Sequence, residues 1–118
     1  MDRFMEFLGA EVLEVKPGFA RVKGVVKEEF TNIHGFCHGG YLVSLADFAL
    51  GLASNADGAK RFAIRLGMEF FTPAYVGDVL IGEAEALKIG RKICFYEMRI
   101  KKGDEVIAKG SAIVYTKS

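Results

Sequence analysis

The sequence predicts an α+β fold, with one long central helix wrapped by a curved, mostly antiparallel sheet of about six strands. The helix is the segment Gly39 to Ser54, which carries a single charge, Asp47. A helix apolar on nearly every side has to be covered. The strands are runs of alternating β-branched and polar residues, set between glycine and proline turn signals before and after it. At 118 residues, one domain spanning 1–118 is expected, long enough to bury roughly two-thirds of the surface its unfolded chain exposes.

In chain order, Phe4, Phe7 and Leu8 lie at helical spacing and stop at Gly9. They form a short amphipathic opening helix whose phenylalanines need a cover. Alternation from Glu11 to Lys16 and from Phe19 to Lys27, around Pro17-Gly18, is a hairpin. Thr31 to Gly40 holds three glycines and two histidines without periodicity and leads straight into the long helix. After a polar break from Asn55 to Lys60, strands follow at Phe62 to Thr72, Asp78 to Lys88, Lys92 to Lys101 and Val106 to Lys117. Pro73 and Gly77 separate the first two, and Lys102-Gly103-Asp104-Glu105 closes the last hairpin. There is no internal repeat.

Composition excludes several function classes. Sixteen basic against 15 acidic residues leave no field to attract a polyanion, which argues against nucleic acid as a partner. Asp47 interrupts the best apolar run before it reaches the roughly 18 residues of a membrane span, and Asp2, Arg3 and Glu6 break any signal-peptide pattern. A soluble cytoplasmic protein is expected. Cys37 and Cys94 are too few for a disulfide scaffold and are expected as free thiols.

Asp47 is the residue that needs a reason, because a buried carboxylate costs several kcal/mol unless it is paired, hydrogen-bonded or protonated. Gly40, Ser44, Asp47 and Gly51 recur at helical spacing as one stripe of small or polar residues, with Leu42, Leu45, Ala49 and Leu52 mainly on the other side. Such a stripe admits a second helix or a ligand. Two readings stay open on the helix alone: an ion pair with Arg65 or another base, or a carboxylate that faces chemistry. At the helix start, Gly39 and Gly40 present N–H groups without intrahelical acceptors, at the positive end of the helix dipole. That suits a developing oxyanion. Gly39 and Asp47 are, however, about 12 Å apart along one helix axis, too far for both to act on one carbonyl carbon. Two antiparallel copies would bring Gly39 of one beside Asp47 of the other, giving two equivalent sites per dimer.

The run Asn32-x-His34-Gly35-x-x-His38-Gly39-Gly40-x-x-x-Ser44-x-x-Asp47 resembles the signature of hotdog-fold acyl-CoA thioesterases, in particular the phenylacetate-degradation (PaaI-type) subgroup. The likeness continues through Phe70-x-x-Pro73-x-x-x-Gly77-Asp78 and Gly90-Arg91. It implies hydrolysis of an acyl-CoA thioester, with an aromatic acyl group among the candidates, and no cofactor. It also implies a homodimer as the minimal unit, pairing into a homotetramer. By position, Asp47 becomes the catalytic carboxylate, either as nucleophile or as general base on water. Gly39 becomes the N–H donor to the thioester carbonyl, and His38 and Asn32 orient the site and hold water or carbonyl. Gly40 and Ser44 line the substrate path. A thiolate leaves readily, so a positioned carboxylate with electrostatic help suffices without a metal or a serine triad. One departure is Ala63, ten residues ahead of Pro73, where many relatives carry a serine or threonine that helps place water.

Other chemistries fit less well. His34, Cys37 and His38 fall short of the usual four ligands of a zinc site, and Cys37 beside His38 lacks a third orienting group for a thiol nucleophile. Lys88, Arg91 and Lys92 cluster at a strand turn, either as a solvated hairpin or as contacts to the phosphates of coenzyme A. Phe36, Phe48, Phe70 and Phe71 could form an acyl pocket or simply core. Two readings outside thioester hydrolysis are a hotdog protein that binds acyl-CoA without cleaving it and a hotdog dehydratase. The intact His38, Gly39 and Asp47 set disfavours the first, and the Asn32-to-Asp47 motif at this spacing disfavours the second.

Overall fold

The computed structural model describes residues 2–117. Its elements run α1 (Arg3–Phe7), β1 (Glu11–Lys16), β2 (Phe19–Val25), a 3-10 turn (Glu28–Phe30), α2 (Gly39–Asn55), β3 (Arg61–Phe70), β4 (Val79–Ile89), β5 (Ile93–Lys102) and β6 (Glu105–Thr116). The strands form one antiparallel sheet in the order β1-β2-β4-β5-β6-β3. The hotdog arrangement expected from the sequence is therefore the one observed, a curved sheet wrapped round α2.

Packing follows from side-chain size. Leu42, Leu45 and Ala49 of α2 are buried against Ala20 and Val22 of β2, Leu80 and Ala84 of β4, and Met98 and Ile100 of β5. Gly82 sets how closely helix and sheet approach, since a Cβ there would lie 3.1 Å from the Leu45 carbonyl oxygen. Gly18, at φ 82°, makes the β1–β2 turn that the Pro-Gly pair signalled.

Two expectations change. The second strand stops at Val25 rather than Lys27, because Val26 leaves the ladder to bond Asp78 and Gly77 through its backbone, and a 3-10 turn follows. On α1 the buried residue is Met5, while Phe4 and Phe7 are 56% and 81% exposed. Only the Phe4 ring finds a partner, edge-on to Phe48 at 5.8 Å. Among the described residues, no helix is long and apolar enough to cross a membrane.

The two sheet edges differ. β1 is six residues long, with Glu11, Glu14 and Lys16 between the exposed Val12, Leu13 and Val15, whereas β3 is ten residues long and exposes Phe62, Ile64 and Phe70. A long open edge is a better template for pairing with another chain than a short one.

Candidate active site

Asp47 lies midway along α2 on the stripe that the sheet leaves uncovered: Gly40, Asp47 and Gly51 are exposed and Ser44 is half-buried. The spacing predicted this stripe. The expectation that the helix is covered all round is corrected: Tyr41, Leu42, Leu45, Ala46, Phe48, Ala49, Leu50 and Ala53 are buried, but the stripe that carries Asp47 is not. Asp47 sits in an open depression of about 440 Å³ with Val43 and Ser44 and, from β3, Ala63, Ile64, Arg65 and Leu66. No ion pair among the described residues includes it. Arg65, the partner the sequence offered, donates instead to the carbonyl and hydroxyl oxygens of Ser111 at 3.4 and 3.3 Å. Desolvation by the walls of the depression raises the Asp47 carboxyl above the ordinary carboxylate range, and the nearby Asp2 carboxylate adds to the shift. Asp2 is held in place as the cap of α1, accepting the Met5 N–H at 3.0 Å.

The start of α2 is built by the loop before it. Thr31 and Cys37 form a β-bridge. Inside that loop the Asn32 N–H donates to the Phe36 carbonyl at 2.8 Å, and Cys37 is tied to the Ala74 carbonyl at 2.7 Å. The Asn32 side-chain oxygen accepts from His34 N–H at 2.9 Å, and its NH2 group has no acceptor among the described residues. His38 then caps the helix, its Nδ1 accepting the Gly40 N–H at 2.9 Å. This corrects the expectation that both glycine amides are open. Gly40 is satisfied, while the Gly39 N–H has no acceptor among the described residues. Ser44 donates its hydroxyl to the Gly40 carbonyl at 2.8 Å.

Gly39 opens into a different depression, of about 270 Å³, lined by Asn32, Phe36, Leu42, Phe70, Phe71 and Pro73 among others. His38 faces a third, with Phe4, Phe30, Tyr41 and Ser44. Within one chain, then, Asn32 and Gly39 come together and Asp47 stands apart from them. The same ordering appears on β3, which runs alongside α2 with Ala63 to Leu66 by Asp47 and Phe70 against Gly39. Ala63, the departure from the family pattern, thus borders Asp47.

Of the basic trio, Lys88 lies at the end of β4 and Arg91 and Lys92 in the turn to β5. The Lys92 ammonium stands 5.8 Å over the Tyr115 ring. Backbone bonds from Thr116 to Lys92 and from Lys117 to Lys60 bring two further cations to the same end of the sheet. Sequence reading missed Lys60 and Lys117 because strand register, not proximity along the chain, places them there. Cys37 is buried, and burial, with Asp78 adding to it, pushes its thiol up to about 11. At neutral pH it is a thiol, not a nucleophile. The His34 ring stacks on Phe36 at 5.6 Å.

This geometry has relatives. Residues 34–109 match the model of the thioesterase superfamily. The acyl-coenzyme A thioesterase PaaI of Escherichia coli K12 is 33% identical over 84% of this chain and 71% of its own length. A protein of Archaeoglobus fulgidus is 40% identical over 97% of this chain and 75% of its own. Among solved structures, the TT0310 protein of Thermus thermophilus superposes with a TM-score of 0.94 at 35% identity, covering 98% of this chain and 97% of that one. The PaaI protein of the E. coli phenylacetic acid degradation operon superposes with a TM-score of 0.96 at 29% identity, covering 99% and 86%. The chain belongs to the thioesterase superfamily, as a hotdog-fold thioester hydrolase of the PaaI kind.

Proposed function

We propose that the chain hydrolyses an acyl-CoA thioester, aromatic acyl groups included, in a site shared between two copies. The observation that carries this reading is the separation of Gly39 and Asp47 into different depressions along one helix, beside the open edge of β3. A second chain laid antiparallel across that helix places the Gly39 N–H of one protomer against the Asp47 of its partner. It also covers Phe62 and Ile64 on the β3 edge. The names of the E. coli relative and of the human acyl-coenzyme A thioesterase 13, 27% identical over 84% of this chain, support coenzyme A as the carrier. The homodimer is the functional minimum, and two dimers make a homotetramer.

In the mechanism, the free Gly39 N–H donates to the thioester carbonyl oxygen and stabilises the charge that develops there. The Asp47 carboxylate takes a proton from a water molecule whose oxygen attacks the carbonyl carbon. The tetrahedral adduct collapses by breaking its C–S bond. The thiolate of coenzyme A leaves with the electron pair and is protonated, and the acyl group departs as the free acid. Asn32, through its NH2 group, holds the carbonyl or the water. His38 works by fixing the first turn of α2, so that Gly39 rather than Gly40 remains the donor. Gly40 and Ser44 border the thioester, and Lys88, Arg91 and Lys92 hold the phosphates of coenzyme A.

A panel of aromatic and aliphatic acyl-CoA thioesters, read with a thiol reagent, tests the activity. Release of free coenzyme A by the wild type is expected, and binding without release on every member would reduce the protein to a carrier. Single turnover in oxygen-18 water should put the first label in the product acid. Label found first in the Asp47 carboxylate would replace the general-base step with an acyl-enzyme anhydride.

The raised Asp47 carboxyl has a sign that can be checked. Catalysis needs the carboxylate, so kcat/KM should fall as pH drops through a value above that of an ordinary aspartate. Asp2→Asn keeps the cap on α1 and removes the neighbouring charge. Its acid limb is expected at lower pH than the wild type, by a modest amount because desolvation is the larger cause. A limb that stays in place would show that Asp47 does not feel Asp2.

A further inference from the structure

Gly39 is not a glycine because of its backbone, since its φ is not in the left-handed region. It is a glycine because of what lies over it. A Cβ at Gly39 would meet the ring of Phe70 at 3.3, 3.6 and 3.8 Å, so the ring rests on the very residue that presents the free amide. Phe70 is nevertheless 51% exposed; one side of its ring is pinned to Gly39 and the rest forms a wall of the depression shared with Phe36, Leu42, Phe71 and Pro73.

That depression carries no charged side chain, and its polar lining is limited to Asn32 and Thr72 beside the Cys37 thiol and the backbone. It therefore suits the apolar end of the substrate and not the phosphates, for which it offers no cation. Position agrees with chemistry. A carbonyl bound at the Gly39 N–H must send its acyl tail onward within a few ångströms, and the adjoining space is this one. At about 270 Å³ it has room for on the order of nine groups of the size of a water molecule, each taking about 30 Å³.

Resting on the thioesterase reading above, we propose that the depression beside Gly39 is the acyl site for an uncharged group of medium length or a single aromatic ring. Phe70 is its size-determining residue. The ring closes the site against longer chains, because an acyl group extending past it would have to displace the ring from Gly39. Removing the ring opens the site along β3.

The test compares Phe70→Ala and Phe70→Leu with the wild type on straight-chain acyl-CoA thioesters from four to sixteen carbons and on a phenylacetyl thioester. Binding of non-hydrolysable analogues, in which a methylene separates sulfur from carbonyl, is measured in parallel. For Phe70→Ala, the ratio of kcat/KM for the longest to the shortest chain is expected to rise about tenfold or more, mostly through KM. Phe70→Leu should fall between. Analogue affinities should move in the same order. A uniform loss across all lengths in both variants, with folding intact, would overturn the assignment. If the wild type releases no thiol from any substrate, the thioesterase reading fails by itself, and the analogue series still decides whether Phe70 sets length.

Discussion

Asp47→Ala is expected to reduce kcat/KM by about a hundredfold or more, within the usual cost of removing a general base, while the oligomer stays intact. The residue makes no ion pair among the described residues and has little packing within its own chain, so the protomer fold should tolerate the change. The sharper form of the experiment uses two inactive chains. Asn32→Ala damages the Gly39 depression and Asp47→Ala damages the other. Refolded together, they should yield heterodimers in which one site receives both intact halves and the second receives neither. Activity should reappear at up to half of the wild-type value per heterodimer. If instead each chain supplies its own complete site, every site in the mixture carries one lesion and mixing restores nothing. That result would remove the shared site, whatever the substrate proves to be.

Much of this arrangement could be read before any coordinates, for identifiable reasons. The helix was legible because its apolar run has a single interruption, and its uncovered face because Gly40, Ser44, Asp47 and Gly51 recur at helical spacing. Three things were not legible. His38 reads as a ligand-facing histidine, yet its Nδ1 is taken by the Gly40 amide; which of two adjacent glycines keeps a free N–H depends on one side-chain torsion. Phe4 and Phe7 read as residues that find cover, but a five-residue helix can turn only Met5 inward. Phe70 and Gly39 are 31 positions apart, and their contact is set by how β3 lies along α2. The first two failures lie in side-chain orientation over a few residues and the third in long-range register, where a single sequence carries the least information.

The outer face of the sheet offers the largest expected loss of stability, at Glu83→Ala. Register places Arg21 of β2 and Arg99 of β5 directly on either side of Glu83. Its carboxylate, only 3% exposed, accepts from Arg21 at 2.8 Å, Arg99 at 3.1 Å and Lys101 at 3.1 Å. Burial alone would raise its pKa, but the three cations together outweigh it and hold the carboxyl below the usual glutamate range. Removing one member of a buried ion pair typically costs roughly 3–5 kcal/mol, because the partner is left uncompensated. Here Arg21 and Lys101 are each about a third exposed and water can take up part of the deficit, so a loss nearer 2–3 kcal/mol is expected. On a chain of this size that lowers Tm by roughly 6–12 °C. The pH dependence has a definite sign: a carboxyl with a lowered folded pKa adds stability that is complete above its unfolded pKa and disappears as pH falls through the folded one. Thermal melts of wild type and Glu83→Gln should thus diverge most at neutral pH and converge in acid. A difference that is constant down to pH 2 would mean that the variant's loss comes from packing rather than from the charge of Glu83.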